Sequence, residues 1–143
     1  MSNKYRELKA KQEAELHAFP IKWAFSDKQF TEGMVALGLD PSETDKVCGI
    51  GAGGFIRKTD REALEGMSAK HANELREAMQ NTEFAYDALD YELGNHEYCY
   101  TWDTEDALTA LNLTDEEVCS NPVLYEALKR AKAAQKEWRE LNA

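Results

Sequence analysis

The sequence predicts a mainly helical α+β single domain packed around a small antiparallel sheet of about three short strands. Three observations carry that expectation. Several stretches repeat apolar residues at three- and four-residue spacing behind capping signals. Only short segments alternate apolar and polar side chains as strands do. A length of 143 residues suits one domain of the usual ~100 to 200 residues, with at most a short appendage. A chain of this size with 43% hydrophobic residues builds a core without disulfides or metal.

Each element follows from its own residues. Asn3–His17 is rich in helix formers but carries a sparse apolar stripe, Tyr5, Leu8 and Leu16, so residues 1–18 read as a charged helical appendage to a domain over 19–143. Ile21–Phe25 alternates like a short strand behind Pro20. Ser26-Asp27-Lys28-Gln29 is a capping box, and Phe30, Met34 and Leu37 follow at helical spacing before Gly38. Val47–Lys58 mixes β-branched, aromatic and glycine residues, which predicts a strand or hairpin with a glycine bend. Thr59–Glu62 is a second capping box, opening a helix to about Gln80. Asn81 or Thr82 caps the next helix over Glu83–Leu93, with Gly94-Asn95 as its stop. Glu97–Trp102 (EYCYTW) has the composition of a strand. Short helices are expected near Thr104–Leu111 and Asp115–Cys119, and a final helix begins at Asn121-Pro122.

Charge narrows the function. The net charge is −10, yet Glu77 to Leu128 contains thirteen acids and no Lys or Arg. A field of that sign repels phosphates, so direct nucleic-acid binding is disfavoured and a basic protein partner or a cation is favoured. Glu83, Asp87, Asp90, Glu92, Glu97, Asp103, Glu105 and Asp106 are the expected contact residues. Phe84, Tyr86, Tyr91, Tyr98, Tyr100 and Trp102 are interleaved with them, and surface aromatics beside carboxylates suit a protein interface. No apolar run approaches the ~20 residues of a membrane span, and Met1–Gln12 lacks the apolar core of a signal peptide. A cytoplasmic protein with no membrane partner is expected. Cys48, Cys99 and Cys119 are odd in number and form no CxxC, which disfavours a secreted disulfide scaffold.

Motifs for chemistry are sparse, and no catalytic set emerges. Gly49-Ile50-Gly51-Ala52-Gly53-Gly54 matches the glycine pattern of dinucleotide sites, but the residues after it are strand-like where such a site needs a helix. His96-Glu97-Tyr98-Cys99 places an imidazole and a thiol three residues apart. With His71, and an acid such as Asp103, they compose a candidate zinc site: three protein ligands and a water would mean catalysis, four a structural metal. Asp87, Asp90 and Glu92 form a D-x-x-D-x-E spacing open to a divalent cation, with a solvated face as the plainer alternative. A cysteine nucleophile is disfavoured, because the acidic surroundings of Cys99 and Cys119 raise a thiol pKa.

The segments GIGAGGFIRK, KHANEL and YELGNHEYCYTWD resemble a family of short uncharacterised proteins carried by bacteria, prophages and mobile elements, over roughly residues 21–131. The resemblance implies a compact α+β domain with Gly51, Gly53, Gly54, Phe55, His96, Tyr98 and Cys99 among its signature positions, and brings no established activity. It also implies an accessory protein of a phage or mobile element, of which small acidic examples include anti-CRISPR inhibitors. The functional expectation is therefore a non-enzymatic acidic protein that binds and inhibits a basic nucleic-acid-binding protein such as a CRISPR effector in the host bacterial cytoplasm. The alternative is a zinc-binding domain or zinc-dependent enzyme using His71, His96 and Cys99.

Overall fold

The computed structural model describes residues 3–143. It has the expected class: among the described residues, eight α-helices accompany one three-stranded antiparallel sheet. None of these helices is long and apolar enough to cross a membrane. The chain divides into two compact units, one of Gln12–His71 and one that combines the segment up to Lys11 with Ala72–Ala143.

The Gln12–His71 unit is built on the sheet. After α1 (Lys4–Ala18) come β1 (Lys22–Trp23), α2 (Asp27–Ala36), β2 (Val47–Gly51), β3 (Gly54–Arg57) and the start of α3 (Arg61–Ala78). The order across the sheet is β1-β3-β2. Ser26 caps α2 as expected, its side chain accepting from the Gln29 amide at 3.2 Å. Gly38 then turns the chain with φ +78°. The glycine run is a hairpin: Gly51 pairs with Gly54, the register slips between Gly49 and Gly51, and Gly51, Ala52 and Gly53 all have positive φ. A Cβ at position 54 would lie 2.7 Å from the Trp23 ring and 2.9 Å from Ile50, so a side chain there would force these neighbours to move. Strand β3 follows the turn at once, in the place where a dinucleotide site carries a helix. A small core of Met34, Leu37 and Phe55 closes the unit, with Phe30 tilted on Phe55 at 5.0 Å.

The second unit is a helical assembly of α4 (Thr82–Asn95), α5 (Tyr98–Thr101), α6 (Glu105–Ala110), α7 (Asp115–Ser120) and α8 (Pro122–Leu141), with the first turns of α1 and the end of α3. Ala85, Ala88, Leu89 and Leu93 of α4 form one core with Leu124, Ala127, Leu128 and Ala131 of α8, which Leu108, Leu111 and Val118 complete. Small alanines on both helices let the backbones approach closely. The caps read from the sequence are in place. Asn81 accepts from Phe84, Thr114 from Glu117, and Asn121 from both Val123 and Leu124 ahead of Pro122. Tyr5 is buried here, in ring contact with Phe84 and Tyr91.

Two expectations are corrected. The strand expected over Ile21–Phe25 is confined to Lys22–Trp23, with the Ala24 amide also donating to the Gly53 carbonyl at 2.9 Å. Glu97–Trp102 is not a strand: α5 occupies its centre, and Glu97 (φ 56°) and Trp102 (φ 58°) are left-handed on either side. The three strands come instead from β1 and the two arms of the glycine hairpin. The physical reason lies in burial. Tyr98 and Cys99 are both buried while Tyr100 and Trp102 are exposed, a pattern in which neighbours share one side. A strand sends neighbours to opposite faces, whereas one helical turn accommodates it.

Candidate functional site

The eight acids expected at the contact surface separate into two groups. On α4 they are engaged within the fold. Glu83 receives a hydrogen bond from Arg130 at 2.9 Å, which raises the arginine's pKa above its ordinary value. Asp87 accepts from the Lys4 amide at 3.1 Å, and Asp90 accepts from the Gln135 side chain at 2.9 Å. The sequence therefore hides part of the charge balance: bases and amides of α1 and α8, distant in the chain, lie against the acids of α4. Asp87 and Asp90 are used as anchors for neighbouring helices.

Glu92 departs furthest from its expected place. It is 1% exposed and so lies outside any contact surface. Tyr5 Oη donates to its Oε1 at 3.0 Å, Lys9 Nζ lies 3.4 Å from the same oxygen, and His96 Nε2 lies 3.3 Å from Oε2. A buried carboxylate needs such partners, since stripping it of water without them is costly. Burial first, and then the Glu92 charge, push the Tyr5 phenol well above its ordinary pKa.

The remaining acids, Glu97, Asp103, Glu105 and Asp106, are exposed and have no basic partner among the described residues. They bracket two aromatic side chains that also face solvent, Tyr100 and Trp102, at 63% and 51% exposure. Local structure sets this display. Left-handed Glu97 turns the chain out of α4, α5 buries Tyr98 and Cys99, and left-handed Trp102 directs it toward α6. Asp103 Oδ1 accepts from the Glu105 amide at 2.9 Å, fixing the start of α6. The Trp102 ring stands edge-on to Tyr98 at 5.5 Å. Arg139 of α8 completes the patch: its guanidinium lies 5.4 Å from the Tyr100 ring and 5.7 Å from Trp102, and donates to the Cys99 carbonyl at 2.7 Å. Nothing near Tyr100 in the sequence signals Arg139, whose place follows only from the packing of α8.

Two of the three residues expected to hold zinc, His71 and His96, face carboxylates. Within its unit, His71 has Nε2 3.0 Å from Glu15 Oε2. His96 faces Glu92, and Cys99 is buried. Among the described residues, no group of three ligand atoms within 4.8 Å of one another includes His96 or Cys99. The D-x-x-D-x-E spacing is likewise divided, with Asp87 and Asp90 bound to neighbouring helices and Glu92 inside.

The surface around α5 and α6 thus combines carboxylates without basic partners among the described residues with exposed aromatics in contact with Tyr98 and Arg139, an arrangement suited to holding a cationic protein surface. No curated protein and no solved structure matches the chain. A family model does, over residues 4–134, a span that takes in the Gln12–His71 unit and most of the helical unit, including α5 and α6 but not Arg139. The chain belongs to that family, a family of unknown function (DUF7659).

Proposed function

We propose that the chain is an acidic protein of phage or mobile-element origin that binds and inhibits a basic, nucleic-acid-handling bacterial defence protein, in the manner of an anti-CRISPR protein. The observation that carries this reading is the α5–α6 surface, where Glu97, Asp103, Glu105 and Asp106 stand without basic partners among the described residues around exposed Tyr100 and Trp102. Unpaired carboxylates steer a basic partner and raise its association rate. Aromatic side chains held by their own packing contribute contact area at low entropic cost. A protein groove built for DNA or RNA is lined with Lys and Arg, and such a surface is complementary to it in sign. The chain's role is occupancy, with no reaction of its own.

The test uses purified CRISPR effector nucleases, with and without guide RNA, and the charge-neutral variant Glu97→Gln/Asp103→Asn/Glu105→Gln/Asp106→Asn. Asn at 103 keeps the oxygen that caps Glu105, so the fold is retained. The expected result is that the native chain binds one effector and suppresses its cleavage. The variant should bind at least about tenfold more weakly at low salt, with a flatter salt dependence. Absence of binding across the effectors, or a variant equal to the native chain, overturns the reading.

A further inference from the structure

We infer that a cavity in the helical unit is a binding site for a free α-amino acid with an apolar side chain. The cavity measures about 360 Å³, within the ~300 to 1,000 Å³ typical of small-molecule pockets. Leu75 and Met79 of α3, Leu111 and Leu113 after α6, and Leu124 of α8 form its apolar wall. Three of these five, Met79, Leu111 and Leu124, belong to the buried core, so the wall is fixed by the packing of the unit.

Two opposite charges, Arg76 and Glu117, are among the cavity's lining residues, and both are exposed. Among the described residues Arg76 has no ion-pair or hydrogen-bond partner for its side chain. Glu117 has no basic partner, and its Oε1 receives only the Thr114 hydroxyl, at 3.4 Å. Gln80 and Asn112 add side-chain amides that are likewise unpartnered among the described residues. Asn112 holds its position with φ 58°, ending α6.

Charge selects the ligand. The unit contains seventeen acids and ten bases, a field that disfavours a simple anion despite Arg76. A simple cation would satisfy Glu117 but leave Arg76 unmatched. A zwitterion is neutral in that field and answers both groups. Its carboxylate pairs with the arginine fork, its ammonium pairs with Glu117, and an aliphatic or aromatic side chain rests on the leucine wall.

The test is calorimetric titration of the full chain with L-leucine, L-methionine and L-phenylalanine. N-acetyl-leucine lacks the ammonium, leucine amide lacks the carboxylate, and hexanoate lacks the ammonium while keeping an apolar body. The expected result is a Kd at or below about 1 mM for at least one free amino acid, and at least ~tenfold weaker binding of all three analogues. Arg76→Gln and Glu117→Gln should each reproduce that loss. Gln at 117 retains a capping-box residue, and position 76 is exposed, so both variants should keep the native melting profile. No heat with any free amino acid overturns the inference. So does analogue binding equal to that of leucine, or folded variants that bind as the native chain does.

Discussion

Tyr5 donates its phenol proton to a carboxylate that has almost no access to water, and that one bond links the start of the chain to α4 across 87 positions. Replacing Tyr5 by Phe keeps the ring packing on Phe84 and Tyr91 but removes the donor, leaving Glu92 Oε1 to Lys9. Losing one partner of a buried charged acceptor costs about 1–3 kcal/mol, which urea denaturation at neutral pH should register. The same bond sets a pH dependence. Burial and the Glu92 charge favour the neutral phenol, so the folded-state pKa lies above the unfolded value of about 10. Stability from Tyr5 is then complete below about pH 10 and falls as pH rises from there toward the raised folded value. Between pH 8 and 11 the difference in stability between the native chain and Tyr5→Phe should shrink with rising pH. A constant difference would separate Tyr5 from the alkaline transition.

At the scale of elements, α5 is where local preference and tertiary packing disagree. EYCYTW is rich in strand formers, yet the chain makes a single turn of helix between two left-handed residues. Such a conformation costs a non-glycine residue roughly 1–2 kcal/mol. Glu97 is exposed and its side chain makes no bond among the described residues that glycine would lose, so Glu97→Gly should stabilise the unit by about 0.5–1 kcal/mol once the added freedom of the unfolded chain is deducted. A lower midpoint in urea would mean that position 97 is not left-handed in solution. Helix starts were legible because their signal is local: Ser26, Asn81, Thr114 and Asn121 each bond an amide two or three residues ahead. The glycine hairpin was legible in the same way, from residues that accept positive φ. The α5 turn was not, because what decides it is the shared burial of Tyr98 and Cys99 against distant elements. The candidate surface was half legible for the same reason. Its acids and aromatics are contiguous in sequence, whereas the pairing of Glu83 with Arg130, the burial of Glu92 and the seating of Arg139 all depend on contacts forty or more positions away.

For the molecule as a whole, the net charge of −10 is distributed by packing as much as by sequence. The acids of α4 are covered or bridged by α1 and α8, and those flanking α5 and on α6 are left open. That division gives the first turns of α1 a structural task which their sparse apolar stripe conceals. The segment up to Lys11 belongs to the helical unit, where it places Tyr5 in the core, Lys9 beside Glu92 and the Lys4 amide on Asp87. Deleting residues 1–11 should therefore lower stability by about 3–5 kcal/mol, the range for opening a core around an aromatic ring and leaving a buried carboxylate without its partners. Urea titration read by tryptophan fluorescence can assign the loss, since Trp102 and Trp138 report on the helical unit and Trp23 on the sheet unit. In a Trp23→Phe background the truncated chain should unfold at a clearly lower midpoint than its full-length counterpart. A charged helix that merely trailed from the domain would leave that midpoint where it was, and the acids of α4 would then have to be counted with the open surface.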